Sequence, residues 1–491
     1  MAKTGSKDAG HKKKRPPYTG TPRGRVATRY RAYPSSEQFV LIKRFGGSVR
    51  YIKNKAKEQR DKAWEGQHKR ISYTKQSKWV LAYRKGPEAP WLAEVPAQVL
   101  QQAVHDTDDA YKAFLEDRSG YPDWQRRSGW YSFRDPQNVG YRRTSKRWGE
   151  VKVQGLGWVR VRHHRPLVGK SVKSATVVME PDGKVFVSVL TDKHKRAPTK
   201  PKVAGVGTVV GVDRGVAVAV ATHDGEGNEE LVDREMWRPK ERERLKRLEQ
   251  ARERKKLARK KQAELDNAKR SKAGLEPLAA VRKSKNQEKV EAKIAGLHAR
   301  ARRRRKDFVE QQSCSLARGH RAVVFEDLHI PAMTASAKGT KEHPGKNVKQ
   351  KAGLNRAILD KGWGALKTRT EQKALRHGHA CLSVPAPYTS VTCPECGLVD
   401  KANRASRSMF VCLGCGYKAH ADLNAAREIR ERGIIELALA GGTPVAAHPG
   451  TNRGQAKAWR RAGAVLAGEE AGTKRRAPAP IGVPHDALSH A

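Results

Sequence analysis

The sequence predicts a multidomain fold that combines an α/β domain with a helical segment, a β-rich segment and a small metal-binding module. Three observations support this fold class. The spacing of apolar residues changes along the chain, from the three- and four-residue steps of a helix to the alternation of strands. Two continuous apolar runs, 209–212 and 322–325, are typical of buried strands. Two Cys-x-x-Cys pairs follow closer to the end of the chain.

The charge balance indicates a polyanionic partner. The 491 residues include 101 Lys and Arg against 50 Asp and Glu, a formal net charge of +51. Such a chain repels itself unless a polyanion neutralises it, so nucleic acid is the expected partner and a membrane surface the weaker alternative. We find neither an apolar run of bilayer length nor a secretory signal, and therefore expect a cytoplasmic protein with reduced cysteines.

The first part of the chain changes from disordered to helical. Residues 1–26 are rich in Lys, Gly and Pro and predict a disordered basic arm. Residues 35–116 are expected to form a helical bundle, since apolar residues recur at helical steps between Val99 and Phe114. Its basic residues are either a solvated face or contacts to phosphate groups.

Residues 117–200 predict a small β-barrel. Residues 158–162 alternate between apolar and polar side chains. The segments 176–179 and 184–189 flank Glu-Pro-Asp-Gly, a turn sequence that joins two strands into a hairpin.

Carboxylates end both apolar runs of the next region. Asp213 follows the first run, where an acid at the end of a buried strand is costly unless it is paired or holds a metal. The second run ends in Glu326 and Asp327, which alternation sends to opposite faces of a sheet. We favour Glu326 as the partner of Asp213, because Asp327 lies at the strand exit.

A long basic segment separates the two runs. Residues 238–316 predict a helical hairpin inserted into the α/β domain, broken near 274–277. Its second half keeps a narrow apolar seam. We expect one stripe to pack on the core, and six basic residues to face an anionic ligand: Arg300, Arg302, Arg303, Arg304, Arg305 and Lys306.

The cysteine pairs predict a zinc ribbon. Each pair is followed at once by a glycine, Gly397 or Gly416, and two such tight turns place four thiolates around one tetrahedral ion. Four unrelated thiols or a pair of disulfides explain this spacing less well. The expected zinc ligands are Cys393, Cys396, Cys412 and Cys415. Cys314 and Cys381 lie outside the pattern and are expected to be buried apolar residues.

A third acid, Asp422, begins the helical segment that follows the ribbon. By itself it is a helix cap. If Asp213, Glu326 and Asp422 converge, however, they suit two divalent ions that activate water for phosphodiester hydrolysis. Magnesium is the expected metal, since it prefers oxygen ligands.

Several motifs resemble one known family. Residues 211–215 (Gly-Val-Asp-Arg-Gly), 324–328 (Val-Phe-Glu-Asp-Leu) and 420–426 (His-Ala-Asp-Leu-Asn-Ala-Ala) resemble the three RuvC motifs of transposon-encoded TnpB proteins and compact type V CRISPR effectors. The resemblance covers roughly residues 30–435. It extends to four further segments, 157–161, 284–286, 353–364 and 388–396.

The resemblance implies an arrangement of domains. A wedge β-barrel is interrupted by a helical recognition lobe, and a RuvC nuclease of RNase H type is interrupted by the ribbon. The implied bounds are 1–26 for the arm, 27–34 and 117–200 for the wedge, 35–116 for the lobe, 201–387 for the nuclease with its insertion 238–316, 388–419 for the ribbon, 420–435 for the final helix and 441–491 for a disordered tail.

The resemblance also implies a function. The family's catalytic acids fall on Asp213, Glu326 and Asp422, which would hold two Mg²⁺ ions, and the four ribbon cysteines would hold a structural Zn²⁺. The expected activity is RNA-guided cleavage of double-stranded target DNA, with a guide RNA supplying the sequence specificity. Two alternatives remain at this point, a DNA-binding repressor that does not cut and a DNA-rearranging transposase. The residues do not separate a TnpB protein from a CRISPR effector.

Overall fold

A computed structural model describes residues 25–127, 129–169, 171–192, 208–278, 283–340 and 342–439. The predicted arm, apart from its last two residues, and the predicted tail 441–491 lie outside these ranges. The chain divides into two compact units, Met1–Arg196 and Ala197–Ala491, and each is described separately.

A seven-stranded antiparallel sheet forms the centre of the first unit. Its strand order is β2-β6-β7-β1-β5-β4-β3. The predicted hairpin is confirmed as β6 and β7, whose connecting turn uses Gly183 at a φ of 78°. The strands are β1 (Arg25–Tyr33), β2 (Tyr131–Asp135), β3 (Gly140–Arg143), β4 (Trp148–Val153), β5 (Gly157–Arg162), β6 (Val172–Met179) and β7 (Val185–Asp192).

This sheet differs from the closed barrel that the sequence predicts. Its two end strands, β2 and β3, are not paired with each other in the described part of the chain, so backbone hydrogen bonds do not close it. A helix covers the β2 edge instead. A Cβ at Gly46 of this helix would lie only 2.6 Å from the Cβ of Tyr131 in β2, so the helix lies directly against the strand. A covered edge strand is protected from pairing with other chains.

Three α-helices occupy the segment that the sequence predicts to be helical. They are α1 (Ser36–Gln67), α2 (Tyr73–Tyr83) and α3 (Ala97–Leu115), with a short 3₁₀ turn at Pro90–Glu94. The Ser35 hydroxyl caps α1 by accepting from the Gln38 N–H at 3.2 Å. Along α3, the predicted apolar face is confirmed, since Val99, Leu100 and Val104 are fully buried.

Two basic residues of α1 form ion pairs within the first unit. Lys57 pairs with Asp61 at 2.6 Å, and Arg60 pairs with Asp108 at 2.7 Å. Both cations are largely buried, so the prediction that such residues contact phosphate groups does not extend to them.

A five-stranded mixed sheet forms the core of the second unit. Its order is β10-β9-β8-β11-β12, with β8, β11 and β12 parallel and β8, β9 and β10 antiparallel. Both faces of β8 and β11 are buried, which is why these two strands are continuously apolar up to their final acids. The strands are β8 (Val209–Asp213), β9 (Val220–His223), β10 (Glu229–Val232), β11 (Ala322–Glu326) and β12 (Ala380–Val384).

Helices cover the two faces of this sheet. The helices are α4 (Pro239–Lys272), α5 (Lys285–Gly319), α6 (Ile330–Met333), α7 (Val348–Lys361), α8 (Trp363–His377) and α9 (Ala421–Leu439). Val210 and Phe325 point towards α5 and α8, whereas Val209 and Val324 point towards α9. Between α8 and α9 lie β12 and a small hairpin, β13 (Met409–Val411) with β14 (Lys418–His420).

Two glycines let α9 lie unusually close to the sheet. A Cβ at Gly211 of β8 would be 1.9 Å from the Ala426 carbonyl oxygen of α9. A Cβ at Gly433 of α9 would be 2.3 Å from a methyl group of Val324 in β11. Any side chain at either position would therefore push the helix away from the strands.

The basic hairpin is present as α4 and α5, but two of its arginines do not face a ligand. Arg304 pairs with Glu241 and donates to the Met236 carbonyl, and Arg305 pairs with Asp360. The face of α5 that carries Arg304 and Arg305 lies against neighbouring elements of the same unit. The prediction that the whole arginine run faces an anion is therefore wrong for these two residues.

Candidate active site and metal centre

Asp213 and Glu326 end two neighbouring parallel strands. The last pair that joins β8 to β11 is Val212 with Phe325, and each acid is the next residue along its strand. Side chains alternate between the faces of a sheet, which places Asp213 on the face of Gly211 and Glu326 on the face of Val324. Both acids therefore point to the side covered by α9.

Asp422 reaches the same place from α9. It lies in the first turn of that helix, and its N–H donates to the imidazole Nδ1 of His420 at 3.2 Å. Asp213, Glu326 and Asp422 all line one cavity of about 630 Å³. The structure thus brings to one cavity the three acids singled out in the sequence, although Asp213 and Asp422 are 209 positions apart.

Asp327 lies on the opposite face from Glu326. Its side chain is 73% exposed and approaches Lys367 of α8 at 3.6 Å. Glu326 is 8% exposed and accepts a hydrogen bond from the Thr389 hydroxyl at 2.6 Å. The alternation of side chains along β11 explains why one acid lines the cavity and its neighbour does not.

The cavity holds more negative charge than its surroundings balance. Burial, followed by the nearby carboxylates of Glu326 and Asp422, raises the pKa of Asp213 to about 7, against the lowering effects of the Arg214 backbone N–H and its charge. Burial also raises the pKa of Glu326, against the lowering effects of Thr389, Arg214 and Arg432. A bound cation would relieve both effects.

The donor set of this cavity fits a hard divalent ion. All three side chains offer carboxylate oxygens, the ligands that Mg²⁺ prefers. Their oxygens are more widely spaced than the cysteine sulfurs, because in the described residues only the four thiols form a ligand group with every atom within 4.8 Å of the others.

Replacing Asp213 by asparagine is expected to stabilise the magnesium-free protein much more at pH 8 than at pH 5. The folded-state pKa of about 7 lies above the ordinary value of 3.8. The stability that the protonated Asp213 carboxyl contributes to the wild type is therefore lost as the pH rises from about 4 through 7. The gain at pH 8 should be at most about 4 kcal/mol. Thermal unfolding of both proteins at the two pH values, with zinc bound, measures it. An equal shift at pH 5 would contradict the electrostatic explanation.

Sequence analysis missed several residues that line the cavity. Arg404 approaches Asp422 at 3.6 Å, and Arg407 lines the cavity mouth. Buried Arg214 donates to the Glu326 carbonyl at 2.5 Å, which ties β8 to β11. Nothing in the sequence distinguishes Arg404 and Arg407 from the many other arginines, whereas Arg214 and Thr389 lie within segments already quoted for their family resemblance.

The four ribbon cysteines form a candidate zinc site. The Sγ atoms of Cys393 and Cys415 are 3.6 Å apart, and those of Cys396 and Cys412 are 3.5 Å apart. Four sulfurs at about 2.3 Å from a tetrahedral ion would be separated by about 3.8 Å, so the site fits Zn²⁺ closely. Cys314 and Cys381 lie apart from this group and are only partly buried, in contrast to the prediction.

The ribbon packs directly on the start of α9. Cys393, Phe410 and Cys412 form a small buried cluster with Ala421, the residue before Asp422. The Asn424 side-chain amide donates to the Thr392 carbonyl at 3.0 Å. The metal centre therefore supports the position of the third acid.

Two family models match parts of the chain. Residues 363–429 match the Cas12f1-like TNB domain, which here spans α8, β12, the ribbon and the first half of α9. Residues 25–69 match a helix-turn-helix domain model of the IS605 OrfB type. In this structure that second range holds β1 and the single long helix α1.

Proteins with related sequences cover most of the chain. A protein of Escherichia coli (strain K12) named as the RNA-guided DNA endonuclease InsQ is 32% identical over 412 residues, which is 84% of this chain and 93% of that protein. A protein of Streptomyces pristinaespiralis, also named as an RNA-guided DNA endonuclease, is 28% identical over 85% of this chain and 91% of its own length. A Cas12f1 complex with guide RNA and target DNA matches at 13% identity and a TM-score of 0.46, over 83% of this chain and 99% of that one.

These similarities place the molecule in a class of proteins that includes nucleases of mobile elements. The chain belongs to the family of TnpB proteins, which contains InsQ, and of the compact type V effectors related to Cas12f1. No helix in the described part of the chain is both long and apolar enough to cross a membrane.

Proposed function

We propose that the protein is an RNA-guided DNA endonuclease that hydrolyses phosphodiester bonds in target DNA at the cavity lined by Asp213, Glu326 and Asp422. The observation that carries this proposal is the convergence of three carboxylates on one cavity in a chain of this family. The second unit is then the RuvC-like nuclease of RNase H type, with the ribbon inserted before its last helix. The first unit corresponds to the wedge and the recognition lobe.

The three carboxylates are proposed to hold two Mg²⁺ ions. Bound magnesium supplies a water of lowered pKa and neutralises charge on the leaving oxygen. The protein contributes an acidic, largely buried floor and keeps Glu326 and Asp213 fixed on neighbouring strands. Arg404 and Arg407 contribute positive charge at the same cavity, which favours a phosphate group of a DNA strand.

The four ribbon cysteines are proposed to hold one structural Zn²⁺. All four positions are occupied by thiols, which is typical of structural rather than catalytic zinc. Its role is to fold the ribbon, and through Cys393 and Cys412 to support the start of α9.

A guide RNA and its heteroduplex explain the net charge of +51. Proteins of this kind hold a guide and its paired DNA strand through backbone charge and helical shape, while base pairing supplies the specificity. Many phosphate groups must then be neutralised, which requires many more basic than acidic residues.

The test is a cleavage assay on the complex purified with its own RNA. The gene is expressed with its flanking DNA, the copurifying RNA is sequenced, and plasmids that match or do not match this RNA are incubated with the complex. We expect the matching plasmid to be cut with Mg²⁺ and spared with a chelator. Binding without cutting would favour a repressor, and guide-independent strand transfer would favour a transposase, and either outcome would refute the proposal.

A further inference from the structure

Glu326 has a hydrogen-bond partner that no motif assigns. The hydroxyl of Thr389 lies 2.6 Å from Oε1 of Glu326 and 3.0 Å from the Ala386 carbonyl. Thr389 is 3% exposed and lines the cavity together with Glu326. A hydroxyl that donates to one carboxylate oxygen fixes the rotation of the carboxylate and leaves the other oxygen available for a metal ion.

The turn that carries Thr389 has few backbone donors of its own. Pro385 and Pro387 lack an N–H, so this stretch cannot extend the ladder of β12. Tyr388 adopts a positive φ of 67°, a conformation that is uncommon for a residue with a side chain. Contacts from elsewhere must therefore hold the turn in this shape.

Arg432 of α9 provides those contacts. Its Nη1 donates to the carbonyls of Pro385 at 2.8 Å and Pro387 at 2.9 Å. Its Nε donates to Glu428, one helical turn earlier, at 2.9 Å. Arg432 is 6% exposed and Glu428 is 2% exposed, so their ion pair is buried and holds the guanidinium in place against the two proline carbonyls.

We propose that Arg432 is a positioning residue that acts through Thr389 on Glu326, so that α9 sets the geometry of two acids at once. The helix carries Asp422 directly and fixes Glu326 through the turn 385–389. This inference rests on the proposed function, because it assigns Glu326 as a metal ligand. Groups that orient a metal ligand in this way typically contribute 10- to 100-fold, roughly, in metal affinity or activity.

Thr389→Val and Thr389→Ser test the first contact. Valine keeps the shape and removes the hydroxyl, whereas serine keeps the hydroxyl. Mn²⁺ binding to the RNA-bound protein is measured by electron paramagnetic resonance. We expect Thr389→Val to raise the Mn²⁺ concentration needed for half-saturation by about 10- to 100-fold. The Mg²⁺ requirement for cutting should rise in parallel, with DNA binding unchanged. Thr389→Ser should stay within about threefold of the wild type, whereas an equal loss in both variants would overturn the role of the hydroxyl.

Arg432 is tested with its partner neutralised, because removing the arginine alone would leave Glu428 buried without its partner. Glu428→Gln retains the contacts of Arg432 with the prolines and is expected to bind Mn²⁺ like the wild type. The double variant Glu428→Gln/Arg432→Gln should weaken Mn²⁺ binding by about tenfold or more. Adding both changes to Thr389→Val should weaken it by no more than about twofold further, because the two residues act in one path.

Two outcomes would overturn the proposal in distinguishable ways. If the effects of Thr389→Val and the double variant multiply, Arg432 does not act through Thr389, and only this inference fails. Glu326→Gln is measured alongside them. If Glu326→Gln itself leaves Mn²⁺ binding and cutting unchanged, Glu326 is not a metal ligand, and the proposed function fails with the inference.

Discussion

Asp213→Ala is expected to abolish cutting of target DNA while RNA and DNA binding persist. Asp213 ends β8, lines the cavity with Glu326 and Asp422, and carries the carboxylate whose pKa is raised to about 7 by burial and by these two acids. Removing it takes away a shared ligand of the proposed metal ions. We expect the cutting rate to fall by on the order of 10³-fold or more, equivalent to about 4 kcal/mol of transition-state stabilisation.

The matched control is Asp327→Ala. Asp327 is also an acid at the end of a strand of this sheet, but its side chain is exposed and faces Lys367. Cutting by this variant should stay within a few-fold of the wild type. Single-turnover cleavage measures the cutting rate, and filter binding with the same RNA measures DNA binding separately. Cutting retained by Asp213→Ala, or lost equally in both variants, would contradict the assignment.

Cys393→Ser is expected to release the zinc ion and to impair both stability and cutting. Serine offers a hard oxygen in place of a thiolate, and the binding energy of structural zinc, about 10–16 kcal/mol in small zinc fingers, is also folding energy. Cys393 packs with Phe410, Cys412 and Ala421, so the loss of the metal loosens the start of α9. A displacement of Asp422 by about 1 Å would lower cutting by roughly 10²-fold.

Cys314→Ser provides the control for this change. Cys314 is a free, partly buried thiol of α5 and lies outside the four-cysteine group. Zinc content per chain, melting temperature and cutting rate are measured for both variants. Cys314→Ser should keep one zinc ion per chain. A Cys393→Ser protein that keeps its zinc and its melting temperature would show that the ribbon does not depend on the metal.

Local patterns in the sequence predict many elements of the fold. The helical spacing of Val99 and Val104 predicts α3, and the turn at Gly183 predicts the β6–β7 hairpin, because both depend on neighbours in the chain. The alternation of side chains likewise separates Glu326 from Asp327. The catalytic and zinc-binding roles of the chosen acids and cysteines stay predictions for the experiments above.

Properties that depend on distant contacts could not be read from the sequence. Whether the first sheet closes depends on which element covers β2, and that element is α1 through Gly46. The ion pairs of Arg304 and Arg305 depend on how α5 packs against Glu241 and Asp360. In the same way, the sequence does not separate Arg404 and Arg432 from the other arginines, because their contacts depend on the folded positions of α9 and the ribbon.

The close fit of α9 against the sheet affects how the protein can be made. Arg430 donates to the Val209 carbonyl across 221 residues of sequence, so β8 packs against a helix that is synthesised long after it. Contacts between such distant residues form late, since a long loop must close first. Until α9 docks, one face of this sheet is uncovered and Asp422 is not yet beside Asp213 and Glu326, so we expect the proposed site to be complete only after this helix has packed.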